Sequence, residues 1–375
     1  MSTGAGSAAE FSARLSRART AAAAAGLDAV LVTPGPDLRY LTGYVAKPLE
    51  RLTCLVVPAD ADPVLIVPFL ERPAAEAAGV AAVGLAIADW QETDDPIALV
   101  AGILGPDVRN YGVDDHMWAE KVLRLRAGMP EVEQRLAGGV LRDLRIRKTD
   151  AEIEALREAG AAIDRVHRRI GEWLRPGRTE REIGRDIADA IVAEGHVRAD
   201  FVIVGSGPNG ASPHHDVSDR VVEPGDVVVV DIGGTTEAGY CSDSTRTYAV
   251  GEPDPDFRRY YAVLLEAQIA ACDAVRPGIS AQQVDRVARG VIEAAGYGEF
   301  FVHRTGHGIG LEGHEHPYIV EGNAETLQPG MAFSVEPGIY LPARHGARIE
   351  DIVVCTAAGG ERLNLTPREL QVLPA

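Results

Sequence analysis

The stretch from Val227 to Thr247, VVVVDIGGTTEAGYCSDSTRT, constrains the fold more than any other part of the sequence. Its four consecutive valines predict a buried strand, and the glycines that follow predict a turn into a returning strand. A hairpin centred near Glu237 would place Asp231 directly opposite Asp243, with their Cβ atoms about 5 Å apart. Two carboxylates at that distance repel each other unless they share a proton or a cation. The alternative is a pair of solvated aspartates at the strand ends.

The composition is that of a globular protein whose partners are neither nucleic acids nor membranes. The chain has 375 residues, enough for two domains, and its net charge of −18 disfavours nucleic-acid or anionic-membrane partners. The four cysteines form no CxxC pair, and no apolar run resembles a signal peptide or a membrane span. We therefore expect a cytoplasmic protein.

A basic connector, LRDLRIRK at residues 141–148, divides the sequence into two parts. Before it, short apolar runs alternate with helical stretches, a mixture that indicates a small α/β domain without a recognisable site. After it, Thr149 and Glu152 form a capping box that opens a long amphipathic helix. We expect an N-terminal domain over residues 1–146 and a second domain over residues 147–375.

The second domain contains a weak internal repeat with a spacing of 101 residues. The segment RPGRT at residues 175–179 recurs as RPGIS at residues 276–280, and each copy ends in a residue that caps a helix. Later in each half, a Pro-Gly pair stands seven residues before an acidic residue, which is Asp231 in the first half and Glu336 in the second. Two halves related by a pseudo-twofold axis would place these carboxylates symmetrically about one centre.

Both halves of the second domain contain acidic residues and histidines that could bind a metal ion. Four carboxylates lie at or near predicted strands: Asp231, Asp243, Glu336 and Glu350. Histidines occur in SPHHDVSD, residues 212–219, and in TGHGIGLEGHEHP, residues 305–317. Four converging carboxylates are hard to explain without metal. Oxygen ligands with one imidazole suit Mn²⁺, Co²⁺ or Fe²⁺ better than a structural Zn²⁺, and the number of carboxylates indicates two ions that share ligands.

Four motifs resemble the metallopeptidase family of methionine aminopeptidase, prolidase and aminopeptidase P. They are DIGG…SDSTRT, TGHGIGLE, SVEPGIY and RIEDIVV. The resemblance covers most of the chain. It implies a pseudo-twofold pita-bread α+β catalytic domain from about residue 149 onward, preceded by a small α/β domain similar to that of prolidase and aminopeptidase P. Because methionine aminopeptidases usually lack that N-terminal domain, the sequence is more similar to the Xaa-Pro-specific branch.

The resemblance also implies a two-metal centre and a set of catalytic residues. The metal ligands would be these five: Asp231, Asp243, His307, Glu336 and Glu350. Asp243 and Glu350 would bridge the ions, with Mn²⁺ expected and Co²⁺, Zn²⁺ or Fe²⁺ as alternatives. Glu336 would also act as general base and then general acid. His214 and His314 would contact the substrate, and Arg348 would support the ligands.

The implied reaction is removal of the N-terminal residue from Xaa-Pro dipeptides or longer Xaa-Pro peptides by a homodimer. The alternative is a metal-free relative, either a creatinase-like hydrolase or a binding scaffold, which the complete set of five ligands disfavours.

One substrate-binding position differs from that of some dipeptide-specific relatives. In those relatives an arginine, four residues after the histidine that matches His314, grips the substrate carboxylate. This sequence has Tyr318 at that position. A phenol can donate one hydrogen bond but carries no charge. We therefore expect dipeptides to be cut without strong exclusion of longer peptides, unless Arg344 or His345 reaches the carboxylate.

Overall fold

The chain divides into two units, Met1–Arg145 and Ile146–Ala375, in a computed structural model that describes residues 6–375. No helix in that part of the chain is both long and apolar enough to cross a membrane. The second unit contains all four of the predicted carboxylates and is therefore described in more detail.

The first unit is a six-stranded mixed sheet with accompanying helices. Its strands are β1 (Ala29–Val32), β2 (Cys54–Pro58), β3 (Val64–Pro68), β4 (Ala86–Trp90), β5 (Asn110–Val113) and β6 (Glu133–Leu136). Its helices are α1 (Ala8–Ala24), α2 (Pro36–Thr42), α3 (Arg72–Ala77), α4 (Pro96–Leu104), α5 (Ala119–Gly128) and α6 (Gly138–Arg145). The strand order is β4-β3-β2-β1-β5-β6, with β1 antiparallel to β2 and parallel to β5. The predicted α/β architecture of this part is confirmed.

In the second unit, helices pack against two larger sheets. The helices are α7 (Asp150–Arg168), α8 (Glu180–Ala193), α9 (Pro255–Ala274) and α10 (Ala281–Ala294). The strands are β7 (His196–Ser206), β8 (Val227–Thr236), β9 (Cys241–Val250), β10 (Gly306–Gly308), β11 (Glu315–Ile319), β12 (Ala332–Val335), β13 (Gly338–Leu341), β14 (His345–Arg348), β15 (Asp351–Thr356), β16 (Gly359–Arg362) and β17 (Gln371–Leu373). One sheet has the order β17-β9-β8-β7, another has the order β11-β10-β12-β15-β16, and β13 pairs with β14.

The two halves of the second unit repeat each other in local structure. Helices α8 and α10 both span 14 residues, and both begin with a capping box. Helices α7 and α8 pack on the first sheet through a core that includes Ile187 and Val230. Helices α9 and α10 pack on the second sheet through a core that includes Val284 and Phe333. The repeat in the sequence therefore corresponds to two similar helix-on-sheet halves.

The hairpin of β8 and β9 differs in register from the prediction. The backbone nitrogen of Thr236 donates to the carbonyl oxygen of Tyr240, which closes a loop of residues 237–239, and Gly239 in this loop has a φ of 93°. A three-residue hairpin loop characteristically ends in such a left-handed residue, which glycine adopts without a steric penalty. The hairpin is therefore centred one residue later than predicted, and Asp231 lies opposite Thr245 instead of Asp243. The predicted direct pairing is wrong, but the side chains of Asp231 and Asp243 still share one face of the hairpin because strand residues alternate.

Candidate metal centre

The four predicted carboxylates and His307 line one cavity of about 740 Å³ in the second unit. Asp231 lies on β8, Asp243 on β9 and His307 on β10. Glu336 directly follows β12, and Glu350 directly precedes β15. Strands from both halves of the second unit therefore position these side chains around one cavity.

These side chains are close together and largely withdrawn from water. One ligand atom from each of Asp231, Asp243 and Glu350 lies within 4.8 Å of the others, and the same is true of His307, Glu336 and Glu350. Glu350 is 1% exposed and Asp243 is 4% exposed. Burial, together with repulsion from neighbouring carboxylates, raises the pKa of Asp243 and of Glu350 well above the usual range. The cluster is therefore unfavourable as a set of bare carboxylates.

The orientation of His307 aims a lone pair at this cluster. Its Nδ1–H donates to the carbonyl oxygen of Gly308 at 3.0 Å, so that Nε2 of the neutral ring carries no proton. Nε2 lies 3.1 Å from Oε1 of Glu336 and 3.6 Å from Oδ2 of Asp243. A lone pair that faces two carboxylates is favourable only when a proton or a metal cation bridges them. The orientation is that of a metal-binding imidazole held by a hydrogen bond from its other nitrogen.

Arg348 is buried and holds two of the carboxylates in place, Asp231 directly and Glu350 through Thr245. Its Nη2 donates to Oδ2 of Asp231 at 2.5 Å, its Nε donates to Oγ1 of Thr245 at 3.1 Å, and its Nη1 donates to the hydroxyl of Tyr340 at 2.7 Å. Thr245 in turn donates to Oε2 of Glu350 at 2.8 Å. A single arginine cannot neutralise four carboxylates.

A second atom of the cluster also fits a cation. Oδ1 of Asp231 is buried and has no hydrogen-bond partner within residues 6–375. Buried carboxylate oxygens ordinarily have such a partner, because an unpaired one costs free energy. The donor set, which combines four carboxylates with one imidazole, therefore suits divalent metal ions.

His214 and His314 are exposed residues that line the same cavity. The ring centroids of His314 and His307 are 3.8 Å apart, and His314 is close enough to Asp243 to share an ion with it. However, Nη2 of Arg304 lies 3.3 Å from Nδ1 of His314. Because arginine can only donate, Nδ1 accepts, and the neutral ring carries its proton on Nε2. This tautomer makes His314 a hydrogen-bond donor.

The charge state of His314 follows from its surroundings. Although the residue is exposed at the cavity, partial withdrawal of its imidazole from water, together with the proximity of His307 and Arg304, lowers its pKa to about 4. The imidazole is therefore neutral at neutral pH.

Arg304 is a cavity residue that the sequence analysis missed. Its guanidinium lies 4.4 Å from the ring centroid of Tyr318, in a cation–π contact. Tyr318 is not among the described residues that line the cavity, and its ring contacts the side chain of Arg304. The only signal in the sequence is that Arg304 precedes His307 by three residues, and that spacing does not predict the direction of the side chain.

The other two basic candidates lie elsewhere in the second unit. Arg344 lies 3.6 Å from Asp256, and His345 shares a 2.8 Å hydrogen bond with Tyr260. Among the described residues, neither of them lines the cavity. Of these three basic residues, Arg304 is the one that lines the cavity.

Comparisons with known proteins cover nearly the whole chain. Residues 154–357 match the model of Metallopeptidase family M24, and residues 14–147 match the Creatinase/Prolidase N-terminal domain. The chain is 54% identical over 364 residues to the "Probable dipeptidase PepE" of Mycobacterium tuberculosis, with 97% of each chain covered. It is 38% identical over 356 residues to the Xaa-Pro dipeptidase of Lactobacillus delbrueckii subsp. lactis, covering 93% of this chain and 96% of that one. The crystal structure of dipeptidase PepE from Mycobacterium ulcerans matches with a TM-score of 0.95 at 53% identity, covering 99% of this chain and 100% of that one.

Proposed function

Because the chain belongs to metallopeptidase family M24, we propose that it is a two-metal Xaa-Pro peptidase whose preferred substrates are Xaa-Pro dipeptides. The predicted family and two-domain fold are confirmed. Relatives named Xaa-Pro dipeptidase supply the substrate class. The observation that carries the proposal is the cluster of four carboxylates into which Nε2 of His307 points. A metal-free creatinase-like hydrolase or binding scaffold is disfavoured, because Arg348 alone would then have to balance the charge of four buried carboxylates.

The metal ions are assigned to the five clustered side chains. Asp243 and Glu350 would hold both ions, Asp231 would hold one, and His307 and Glu336 would hold the other. The oxygen-rich donor set favours Mn²⁺. Divalent ions bound there supply Lewis acidity, which lowers the pKa of water and polarises a carbonyl group.

Glu336 is the proposed proton carrier. The hydroxyl of Ser334 donates to Oε1 of Glu336 at 2.9 Å, which holds the carboxylate in place. From there Glu336 takes a proton from the attacking water and delivers it to the nitrogen of the leaving proline. His214 and His314 donate hydrogen bonds to the substrate carbonyl and to the oxyanion that develops from it. For His314, the proton on Nε2 is the one available for this bond.

Arg304 is the proposed binding group for the C-terminal carboxylate of a dipeptide. Its Nη2 contacts His314, and its other guanidinium nitrogens have no hydrogen bond within residues 6–375. A planar guanidinium can bind a carboxylate through two parallel hydrogen bonds. Arg304 therefore supplies the charge that Tyr318 lacks, and the Tyr318 ring supports it. This assignment favours dipeptides over longer peptides more strongly than the sequence alone suggested.

The test combines metal analysis with a hydrolysis assay. Purified protein loaded with Mn²⁺ or Co²⁺ is given an Xaa-Pro dipeptide, the same peptide extended by one residue, and an Xaa-Ala dipeptide as the control for proline. We expect two bound ions per chain and cleavage of the Xaa-Pro bond, with the dipeptide cleaved fastest. Absence of Xaa-Pro hydrolysis at full metal occupancy would reject the proposal.

Three further assignments belong to this proposal. We assign the activity to a domain of residues 147–375, because the residues that line the cavity lie there. We assign residues 1–146 to the N-terminal domain. We assign the protein to the cytoplasm, because its four cysteines are free and buried, as is usual in a reducing compartment. The homodimer rests on the family resemblance, and light scattering of the purified protein tests it.

A further inference from the structure

The buried carboxylate of Glu180, which lies outside the metal cluster, accepts hydrogen bonds from both ends of the segment that carries His214. We call residues 206–218 the His214 segment. Glu180, the first residue of α8, has a fully buried side chain. Ser206 donates to Oε1 of Glu180 from its backbone nitrogen at 2.8 Å and from its hydroxyl at 2.6 Å. Ser218 donates to Oε2 from its backbone nitrogen at 3.1 Å and from its hydroxyl at 2.6 Å.

Residues in the middle of the His214 segment also form hydrogen bonds with the carboxylate of Glu180. Nε2 of His215 lies 2.7 Å from Oε2 of Glu180, and Nδ2 of Asn209 lies 3.0 Å from Oε1 and 3.1 Å from Oε2. His214 and His215 both line the cavity, but within residues 6–375 no hydrogen bond reaches the ring of His214. The position of His214 therefore depends on the neighbours that Glu180 holds.

Glu180 is well suited to act as a fixed anion. Burial alone would raise its pKa, but the hydrogen bonds from Ser206, Ser218 and His215 outweigh that effect and lower the pKa to about 2. The N-terminus of α8 also favours a negative charge at this position. The carboxylate is thus ionised throughout the neutral range.

The internal repeat shows that the start of the helix does not require this carboxylate. In the second half, the matching first residue of α10 is Ala281. The capping boxes instead use the residues two positions later, Glu182 in α8 and Gln283 in α10. Because both helices begin in the same way with or without an acid at their first position, the Glu180 carboxylate serves the His214 segment.

We propose that Glu180 is a positioning residue that acts through His214, fixing the His214 segment so that His214 meets the bound substrate. The catalytic part of this inference rests on the proposed function, in which His214 is a substrate contact. The anchoring part does not, because it depends only on the hydrogen bonds of Glu180.

Amide hydrogen exchange in Glu180→Gln tests the anchoring part. A glutamine keeps one acceptor oxygen, so the backbone N–H of either Ser206 or Ser218 loses its partner whichever way the amide turns. We expect exchange in peptides that cover the His214 segment to be at least about tenfold faster than in the wild type. Glu182→Gln is the matched control, because Gln283 performs the same capping role in the other half. Exchange equal to that of the wild type overturns the proposal.

Kinetics on an Xaa-Pro dipeptide tests the catalytic part. We expect Glu180→Gln to lower kcat by roughly tenfold to a hundredfold, with a smaller change in KM and unchanged metal content, because a misplaced contact acts mainly on the transition state. In a His214→Ala background the same substitution should have no further effect on kcat. An unchanged kcat, or losses that multiply in the double variant, overturn the positioning role.

Two further results, a variant that does not fold and a wild-type protein that does not cleave Xaa-Pro bonds, are distinguished as follows. If Glu180→Gln does not fold, Ser218→Ala, which removes one donor at the end of the segment, is measured in the same way and must show the same coupling to His214. A wild-type protein that does not cleave Xaa-Pro bonds rejects the proposed function together with the catalytic part. The exchange measurement still decides whether Glu180 anchors the segment.

Discussion

The sharpest prediction concerns Arg304 and the length of the peptide. Arg304→Met removes the guanidinium but leaves an apolar chain of similar length to lie over the ring of Tyr318. The substitution also removes the 3.3 Å contact with Nδ1 of His314, which selects the ring tautomer. Loss of activity on one substrate would therefore not separate the two roles of Arg304, and a comparison of two substrates is needed.

The expected magnitude follows from the carboxylate contact. Hydrogen bonds to a charged group contribute about 1.5–3 kcal/mol each, and the exposed side of the cavity reduces this through screening by water. Since each 1.36 kcal/mol is a factor of ten, Arg304→Met should lower kcat/KM for an Xaa-Pro dipeptide by about tenfold to a hundredfold more than for the corresponding Xaa-Pro amide. The amide has no terminal carboxylate, so its loss reports only the effect through His314.

The assay measures kcat/KM for the dipeptide and its amide in the wild type, Arg304→Met and Arg344→Met. Arg344→Met is the matched control, because Arg344 pairs with Asp256 and does not line the cavity. It should leave the ratio of the two substrates unchanged. Equal losses on both substrates in Arg304→Met would refute a role in carboxylate binding. A change of the ratio in Arg344→Met would place the carboxylate site elsewhere.

Four other substitutions test the metal ligands, the substrate contact of His314 and the role of Glu180. Asp243→Ala or Glu350→Ala should abolish metal-dependent hydrolysis, because each carboxylate would serve both ions, and turnover like that of the wild type at matched metal content would contradict this. His314→Ala should keep its metal but lose roughly 10²–10³-fold in kcat, as on removal of one oxyanion donor, whereas a fall in metal content would show that it is a ligand. The pKa of Glu180 is about 2 in the folded protein instead of 4.5. The ionised carboxylate should therefore stabilise the folded state by roughly 3 kcal/mol. This contribution should be complete above pH 4.5 and disappear as the pH falls towards 2. Urea titrations of wild type and Glu180→Gln at pH 7 and pH 3 should show the difference in unfolding free energy shrinking.

Much of the architecture could be predicted because its signals are local. The apolar run at Val227–Val230 begins β8, and the capping boxes begin α7, α8 and α10 where the sequence indicates. Hydrophobic period and cap chemistry depend on neighbours a few residues away, so they can be recognised without tertiary structure. The carboxylates could be singled out for the same reason, since each stands at a fixed distance from a Pro-Gly turn or an apolar strand.

Tertiary structure decided the features that depend on how distant segments meet. The left-handed residue Gly239 shifts the hairpin register by one position, which changes the partner of Asp231. Arg304 reaches the cavity because β11 places the ring of Tyr318 beneath its guanidinium, and no spacing in the sequence predicts this contact. Glu180 reads as an ordinary acidic residue at the start of a helix, yet it binds both ends of a segment that begins 26 residues later at Ser206. Sequence patterns determine which residues belong to strands and helices, whereas the packing of those elements determines which side chains meet.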